Sequence, residues 1–357
     1  MAKTKTVKFK ESIGLDIGNH SIKMVHLRKT HHGFKLLNCE SLSTIPEGVE
    51  PVFSDLSPDR YGPILAQLVK TLKLKAKKIN HLVSSIGGDN TSIKQIKTIF
   101  LPDEELESAL FFEAKKHLPI SGSEMNLDYQ VLSVEEKTNN MNILLASSTK
   151  SLLTEHSNIL TSAGLTPGIV DLESLAVVNS FIFNSEDHED GVYVILNVGA
   201  FKTNMVIYSP TSKFFARDIS YGGFNITKDI MKKQKISYQE AEMYKLQHGL
   251  KDKEIKEDKK TLIALDISEK NTIELIAQEV KRSLRFYVKE AGNSDFKKIL
   301  LVGGGANTKG LPEYIAEQLK IPAEIFNPFT NLEDSDRPGI TNDPQFAVAL
   351  GLAMRPE

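Results

Sequence analysis

Two stretches of the chain place a short polar side chain, a glycine and a second polar group in the same order. GLDIGNHSIKMVHL starts at Gly14 and ILNVGAFKTNMVIY at Ile195. Laid together, Asp16 falls on Asn197, Gly18 on Gly199 and Met24-Val25 on Met205-Val206. Each reads as an apolar strand, a small turn opening at glycine and a second β-rich strand. Backbone N–H groups in such turns can face phosphate oxygens, and glycine lets the backbone come close. Asp16 is placed to hold Mg²⁺ through water, because that ion keeps several waters and uses few carboxylates. Lys23 follows Gly18 on the next strand and can reach the phosphates as a point charge. A third segment, LLVGGGANTKGLPEYI, sets Gly303, Gly304 and Gly305 between an apolar strand and a helix, an arrangement that suits nucleotide contact. It is no Walker A loop, since no lysine-serine pair follows the glycines, and it opens no N-terminal βαβ unit. Singly, each feature has a plainer reading: chance likeness of two hairpins, or a tight strand-to-helix turn.

The elements that must position these residues follow from periodicity. A third strand trails each hairpin, GFKLLNCESLST after the first and KFFARDIS after the second, so two β-β-β units open the two halves. Between them the spacing predicts a helix over 58–74, a strand in INHLVSSIGG and a helix from Pro102 to about Leu118, stopped by Pro119. NLDYQVLSVE and NILLASS form a strand pair about the turn at 138–140, with a helix over 150–163 and a buried strand near 168–172. The second half is more helical, with helices over 224–235, 237–248 and 271–291 around the charged run LKDKEIKEDKK at 250–260. Because its charges alternate in sign, that run reads as a solvated face rather than a binding patch. A strand KKILLVGGG, a helix from Lys309 and a last helix in PQFAVALGLAM close the chain.

Composition bounds what these elements can serve. With 357 residues, 25% charged and 40% hydrophobic, the chain has the make-up of a soluble globular protein of two or three domains. Disordered, collagen-like and disulfide-scaffolded classes are excluded. A net charge of −2, from 44 basic and 46 acidic residues, gives no field favouring nucleic acid or an anionic membrane. Cys39 stands alone, which excludes an internal disulfide and a multi-cysteine metal site, and is expected to be a core thiol. The nine histidines show no metal-ligand spacing, and His31-His32 reads as an exposed turn. Apolar runs such as Val192 to Val198 are strand-length, short of the roughly 20 residues that span a bilayer, and the basic N-terminus has no apolar segment of a secretory signal. A cytoplasmic protein is expected.

In combination, GLDIGNHSIK, NVGAFKT, the pair Gly222-Gly223, the helix EAEMYK and LVGGGANTKGL resemble the actin-like ATPase superfamily in order and spacing. Within it the chain resembles the PilM family, cytoplasmic actin-like components of type IV pilus machines. That likeness runs through LPDEELESALFFEAKKHLPISGSEMNLDYQVL, VDLESLAVVNS, YGGFNITKDIMKKQKISYQEAEMYKLQHG and LVGGGANTKGLPEYIAEQLKIPAEIFNPF, nearly the whole chain. It implies an α/β, actin-like fold, a duplicated ribonuclease H-like core of two domains and four subdomains. Subdomain 1A would hold 1–90, 166–192 and 338–357; an FtsA-like, partner-binding 1C, 91–165; 2A, 193–228 and 292–337; and 2B, 229–291.

The resemblance also implies ATP or ADP, with Mg²⁺, between the domains. Asp16, Gly18, Asn19, His20 and Lys23 match the first phosphate loop, and Gly199, Lys202 and Thr203 the second. Gly222 and Gly223 match a loop beside the phosphates, Glu242 and Lys245 a ribose-contacting helix, and Gly303, Gly304, Gly305 and Lys309 the adenosine motif. Glu173 falls near the residue that orients the attacking water in related ATPases. One departure is Asn197, where the second loop usually has aspartate. An amide keeps hydrogen bonding but loses charge that helps hold hydrated Mg²⁺, so binding is expected with at most slow hydrolysis.

The helix after Pro102 carries a second expectation. Leu106, Ala109, Leu110, Ala114 and Leu118 share one face, and Phe112 projects from the other. Either another segment covers Phe112, or it anchors a partner. The resemblance implies that this subdomain helps bind the N-terminal cytoplasmic tail of a PilN-like membrane protein. The whole would then act at the cytoplasmic face of the inner membrane with other assembly-platform and motor proteins, touching the membrane only through partners. Self-association stays open, and the competing reading is an FtsA- or MreB-like cytoskeletal or division protein that forms filaments.

Overall fold

The computed structural model describes residues 9–52, 57–76, 79, 81–116, 125–185, 190–249, 270–333 and 343–355. Leu118, Pro119 and the charged run 250–260 lie outside these residues.

The first hairpin becomes β1 (Glu11–Ile17) and β2 (Ser21–Lys29), with β3 (Phe34–Ser43) antiparallel beyond it. On the other side of β1 lie β4 (Leu82–Ile86) and then β8 (Ile169–Leu172), both parallel. The sheet order is β3-β2-β1-β4-β8. The second hairpin builds the same pattern. β9 (Val192–Val198), β10 (Thr203–Tyr208) and β11 (Phe215–Ile219) are antiparallel, and β12 (Phe296–Val302) and β13 (Ala323–Ile325) continue in parallel, in the order β11-β10-β9-β12-β13. The two five-stranded sheets thus share strand order and strand direction, the duplication that the paired hairpins announce.

Alternation on a half-buried sheet selects what covers it. α1 (Pro58–Thr71) and α3 (Lys150–Ser162) bury Tyr61, Leu65, Leu68, Ile159 and Leu160 against Leu15, Ile22 and Met24. On the second sheet α7 (Thr272–Ala291) and α8 (Leu311–Leu319) bury Ile276, Val280, Leu284 and Ile315 against Val194, Leu196 and Met205. Between the sheets run α4 (Glu173–Asn184) and α9 (Ala347–Ala353), whose Ala176, Val177, Val348 and Leu352 share a core with Val83 of one sheet and Ile195, Val206 and Leu300 of the other. α5 (Gly223–Gln234) and α6 (Tyr238–Gln247) pack on one another beside the second sheet.

A third sheet, β5-β7-β6, joins β5 (Thr91–Ile99), β6 (Met125–Glu135) and β7 (Asn140–Thr149) and is covered by α2 (Asp103–Lys115). Leu106, Leu110 and Ala114 of α2 are buried on Met141, Ile143 and Leu145, the expected face. Neither β5 nor α4 was expected as an element, and the helix expected from Lys309 starts at Leu311 because Gly310 takes a left-handed backbone before it. Cys39 is half-buried, and burial pushes its thiol up to about 11, which keeps it in the protonated form near neutral pH.

Candidate functional site

The two hairpin turns close in the same way. Gly18 N–H donates to the Ser21 carbonyl at 3.1 Å, and Gly199 N–H to the Lys202 carbonyl at 2.9 Å. A Cβ on either glycine would sit 3.0 Å from the carbonyl it bonds, so a side chain would crowd the turn in both halves. The register sets the polar groups beside them. Asp16 lies opposite Lys23, and in the second sheet Asn197 lies opposite Asn204, which in turn faces Asp218 on β11.

Lys23 Nζ contacts Asp16 Oδ2 at 3.0 Å, with only 13% and 11% of the two side chains exposed. Lys202 reaches the other two carboxylates, Asp218 Oδ2 at 3.3 Å and Glu173 Oε2 at 3.6 Å. Glu173 opens α4 beyond the first sheet while Lys202 and Asp218 belong to the second, so this ion pair spans the two halves. Burial raises the pKa of Glu173, Lys202 partly offsets it, and Asp16 and Asp218 push it further up. Burial alone would lower Lys202, but Glu173 and Asp218 outweigh it and leave its pKa raised.

The second turn is also the seat of α5. Gly223 N–H donates to the Gly199 carbonyl and Phe224 N–H to that of Ala200, each at 2.8 Å, which docks the helix start on the loop. Lys245 from α6 is buried there. It donates to Thr227 Oγ1 at 2.9 Å, to the Gly223 carbonyl at 3.3 Å and to Glu242 at 2.8 Å, and burial lowers its pKa against the pull of Glu242. Lys245 therefore holds α6 to α5, while Glu242 keeps 31% of its side chain exposed. His20, from the first turn, has its pKa lowered, first by burial and then by Lys23 and Lys245, with Glu242 opposing. The field of α6 thus reaches the first loop.

The remaining wall is the glycine triplet. Gly303 has φ +84°, and a Cβ there would lie 2.5 Å from Asn197 Oδ1, so only glycine fits. A Cβ on Gly304 would meet nothing within 4 Å, whereas one on Gly223 would lie 3.3 Å from Gly305 Cα. Lys309 is exposed just beyond the short 3₁₀ turn Gly304–Asn307. The structure accordingly gathers Gly199, Gly222, Gly223, Asn197 and Gly303 to Gly305 on the second sheet. Of the first loop, Asp16 and Lys23 act on Glu173, and His20 lies in the field of Glu242 and Lys245.

Asn204, Asp218, Thr227 and the pair Gly87-Gly88 belong to this site and were missed from sequence. Asn204 Nδ2 donates to Asp218 Oδ1 at 2.7 Å, and Gly87 makes room for the Glu173 carboxyl, which a Cβ would meet at 2.7 Å. A pocket of about 210 Å³ lies behind the ion cluster, lined by Gly87, Glu173, Asn204, Arg217 and Asp218 among others. The pairing of Asn197 with a second hairpin strand was the available signal for Asn204. Nothing local marks Asp218.

Phe112 stands apart from this cleft, on the outer face of α2, 66% exposed with Lys115 Nζ 5.3 Å from its ring. On the inner side of α2 a groove of about 280 Å³ runs along β5, lined by Ile96, Lys97, Thr98, Leu101, Leu106 and Ala109 among others. Ile99 and Phe100, which follow Thr98 in the chain, are 62% and 48% exposed.

The model of the family described as type IV pilus assembly protein PilM matches residues 14–357. Among solved structures, a PilM-PilN type IV pilus biogenesis complex is similar at 20% identity, covering 98% of both chains with a TM-score of 0.77. The ethanolamine utilization protein EutJ from Carboxydothermus hydrogenoformans is similar at 13% identity, covering 98% of this chain and 91% of its own, with a TM-score of 0.50. With the doubled sheet order, these likenesses make the fold the actin-like one. No helix of the described residues is long and apolar enough to cross a membrane.

Proposed function

The chain belongs to the PilM family of type IV pilus assembly proteins, and from that premise we propose that it is a cytoplasmic nucleotide-binding scaffold of the pilus assembly platform. ATP or ADP sits between the sheets, and the N-terminal tail of a PilN-like membrane protein docks on the α2 subdomain. The observation that carries the nucleotide half is the pair of identically closed turns at Gly18 and Gly199, with Gly303 and Gly305 of the triplet packed on Asn197 and Val198 before the second turn. Backbone N–H groups of both turns and the ammoniums of Lys23 and Lys202 hold the phosphates. Glu242 takes the ribose, with His20 and Asn19 at the mouth of the first loop and Thr203 behind the second. Gly303 to Gly305, with Lys309, border the base.

Hydrolysis is slow at most. Glu173 is the group placed to orient water, but it is engaged by Lys202 and carries a raised pKa, and Asn197 lacks the charge of an aspartate. The same reading divides the chain into subdomain 1A (1–90, 166–192, 338–357), 1C (91–165), 2A (193–228, 292–337) and 2B (229–291). For the partner half, the groove on the inner side of α2 and, separately, the exposed Phe112 on its outer face offer apolar contacts to an extended tail. Through that tail the protein is recruited to the inner membrane and to the other platform and motor proteins.

Calorimetric titration of the full chain with ATP, ADP and a synthetic PilN-type tail peptide tests the reading. Micromolar binding of nucleotide and of peptide is expected. A chain that binds neither would not be this scaffold.

A further inference from the structure

The nucleotide reading brings Mg²⁺ with it by family resemblance, and the residues present do not fit that ion well. Asp16, the expected holder of the hydrated metal, is already neutralised by Lys23 at 3.0 Å. The second loop offers the amide of Asn197, whose Oδ1 lies in the space a side chain at Gly303 would fill. The two further carboxylates of the cluster, Glu173 and Asp218, both hold Lys202. Among the described residues no group of three or more His, Cys, Asp or Glu could hold a metal ion.

We propose that the cleft takes its nucleotide as the metal-free polyphosphate anion, with the Lys202 ammonium, aided by Lys23, in the role a divalent cation would otherwise fill. The proposal rests on the nucleotide reading above and names the chemical form of the ligand. Lys202 is built for it. The residue closes the second turn with Gly199, and its ammonium is steered by two carboxylates from opposite halves of the molecule. Both contacts are longer than the roughly 2.7–2.9 Å of a tight charge-assisted bond, and 32% of the side chain is open. An ammonium has three donors, and two carboxylates leave one for a phosphate oxygen. An aspartate at position 197 and a neutral residue at 202 would make the cleft more negative by two charges. A polyphosphate would then need Mg²⁺ to enter. With asparagine and lysine there, the loop contributes one ammonium, and the cluster of Lys23 and Lys202 with Asp16, Glu173 and Asp218 carries a single net negative charge.

The experiment is calorimetric titration of the full chain with ATP, once in excess EDTA and once with millimolar Mg²⁺. Affinities within about threefold of each other are expected, since the ammonium replaces the metal's Coulomb attraction. In EDTA, Lys202→Met is expected to lose about tenfold or more and Lys202→Arg to regain most of it, each checked for folding by its thermal melt. Asn197→Asp is expected to bind only when Mg²⁺ is added. Tight binding with Mg²⁺ that weakens more than about tenfold in EDTA overturns the proposal and leaves the nucleotide reading standing. Binding under neither condition removes the nucleotide reading itself, and this inference with it.

Discussion

Lys23 and Asp16 face one another across two strands of a single hairpin, and both also act on Glu173 across the cleft. Lys23→Ala takes away an ammonium 3.0 Å from a nearly buried carboxylate. The ligand-free chain should lose about 1–2 kcal/mol in urea unfolding, and nucleotide affinity should fall about tenfold. An unchanged affinity would remove Lys23 from the phosphate site. His156 carries a separate prediction. It is 1% exposed, bonds Ser84 Oγ through Nε2 at 2.7 Å, and burial lowers its pKa from 6.5 to about 4. The folded value lies below the unfolded one, so as pH falls from 6.5 toward 4 the unfolded chain takes up the proton first and the native state loses ground. That loss should approach about 3 kcal/mol, read from urea midpoints across the window, and His156→Gln should lack it. A variant with the same acid limb would assign the effect elsewhere. At this scale legibility tracks locality. Asp16, Gly18 and Lys23 are readable because one hairpin fixes all three. Asp218 is not, because it reaches the cleft only through the register of β10 with β11. Lys245 is legible as a residue of the site, yet its burial under Thr227 and Glu242 depends on how α6 packs on α5.

Helix α2 shows how far an element can be read from its own pattern. Leu106, Leu110 and Ala114 turn inward and Phe112 outward, as the spacing requires. The two faces should respond oppositely to substitution. Leu110→Ala is expected to cost about 2–4 kcal/mol, while Phe112→Ser stays within about 0.5 kcal/mol in stability but weakens tail-peptide binding about fivefold or more. Equal peptide affinity for Phe112→Ser and wild type would show that the tail docks elsewhere. α4 and β5 escaped the same kind of reading for opposite reasons. α4, ESLAVVNSFIFN, is packed between two sheets and is apolar on nearly every side, so no helical stripe marks it. β5, TSIKQIKTI, is half-buried along most of its length and alternates too weakly to announce a strand. α9 is legible as small and apolar, but only packing shows why. A Cβ on Gly351 would lie 1.8 Å from the Ala176 carbonyl of α4. Gly351→Ala must push the helices apart and should cost about 1–3 kcal/mol as an overpacked core, measured by thermal melt. A neutral result would mean that α9 shifts freely.

Duplication is the largest-scale feature that the chain declares in its sequence, since two like hairpins predict two like sheets. How the halves communicate is not declared, because it depends on side chains far apart in the chain. Among the described contacts that cross between them are Lys202 to Glu173 within the cleft, and the Phe214 N–H to Gln95 Oε1 at 2.8 Å. The second is a strut from the start of β11, the strand that carries Asp218, to β5, the strand that lines the groove beside α2. On the proposed function, a nucleotide that draws Lys202 toward its phosphates would loosen the first of these and shift β11 against the second. A rotation of the second sheet would then pull on Gln95 and change the width of the groove formed by its neighbours Ile96, Lys97 and Thr98. The nucleotide should therefore alter tail-peptide affinity by about fivefold or more, and by linkage the peptide should alter nucleotide affinity by the same factor. Gln95→Ala should cut that factor to about twofold or less while leaving each ligand's separate affinity close to wild type, because Gln95 touches the strut and neither ligand. Four titrations of each protein close the cycle: nucleotide with and without peptide, and peptide with and without nucleotide. Peptide affinity that ignores the nucleotide would mean that cleft and groove work independently. Coupling that survives intact in Gln95→Ala would move the connection to α4, which packs against both sheets from within.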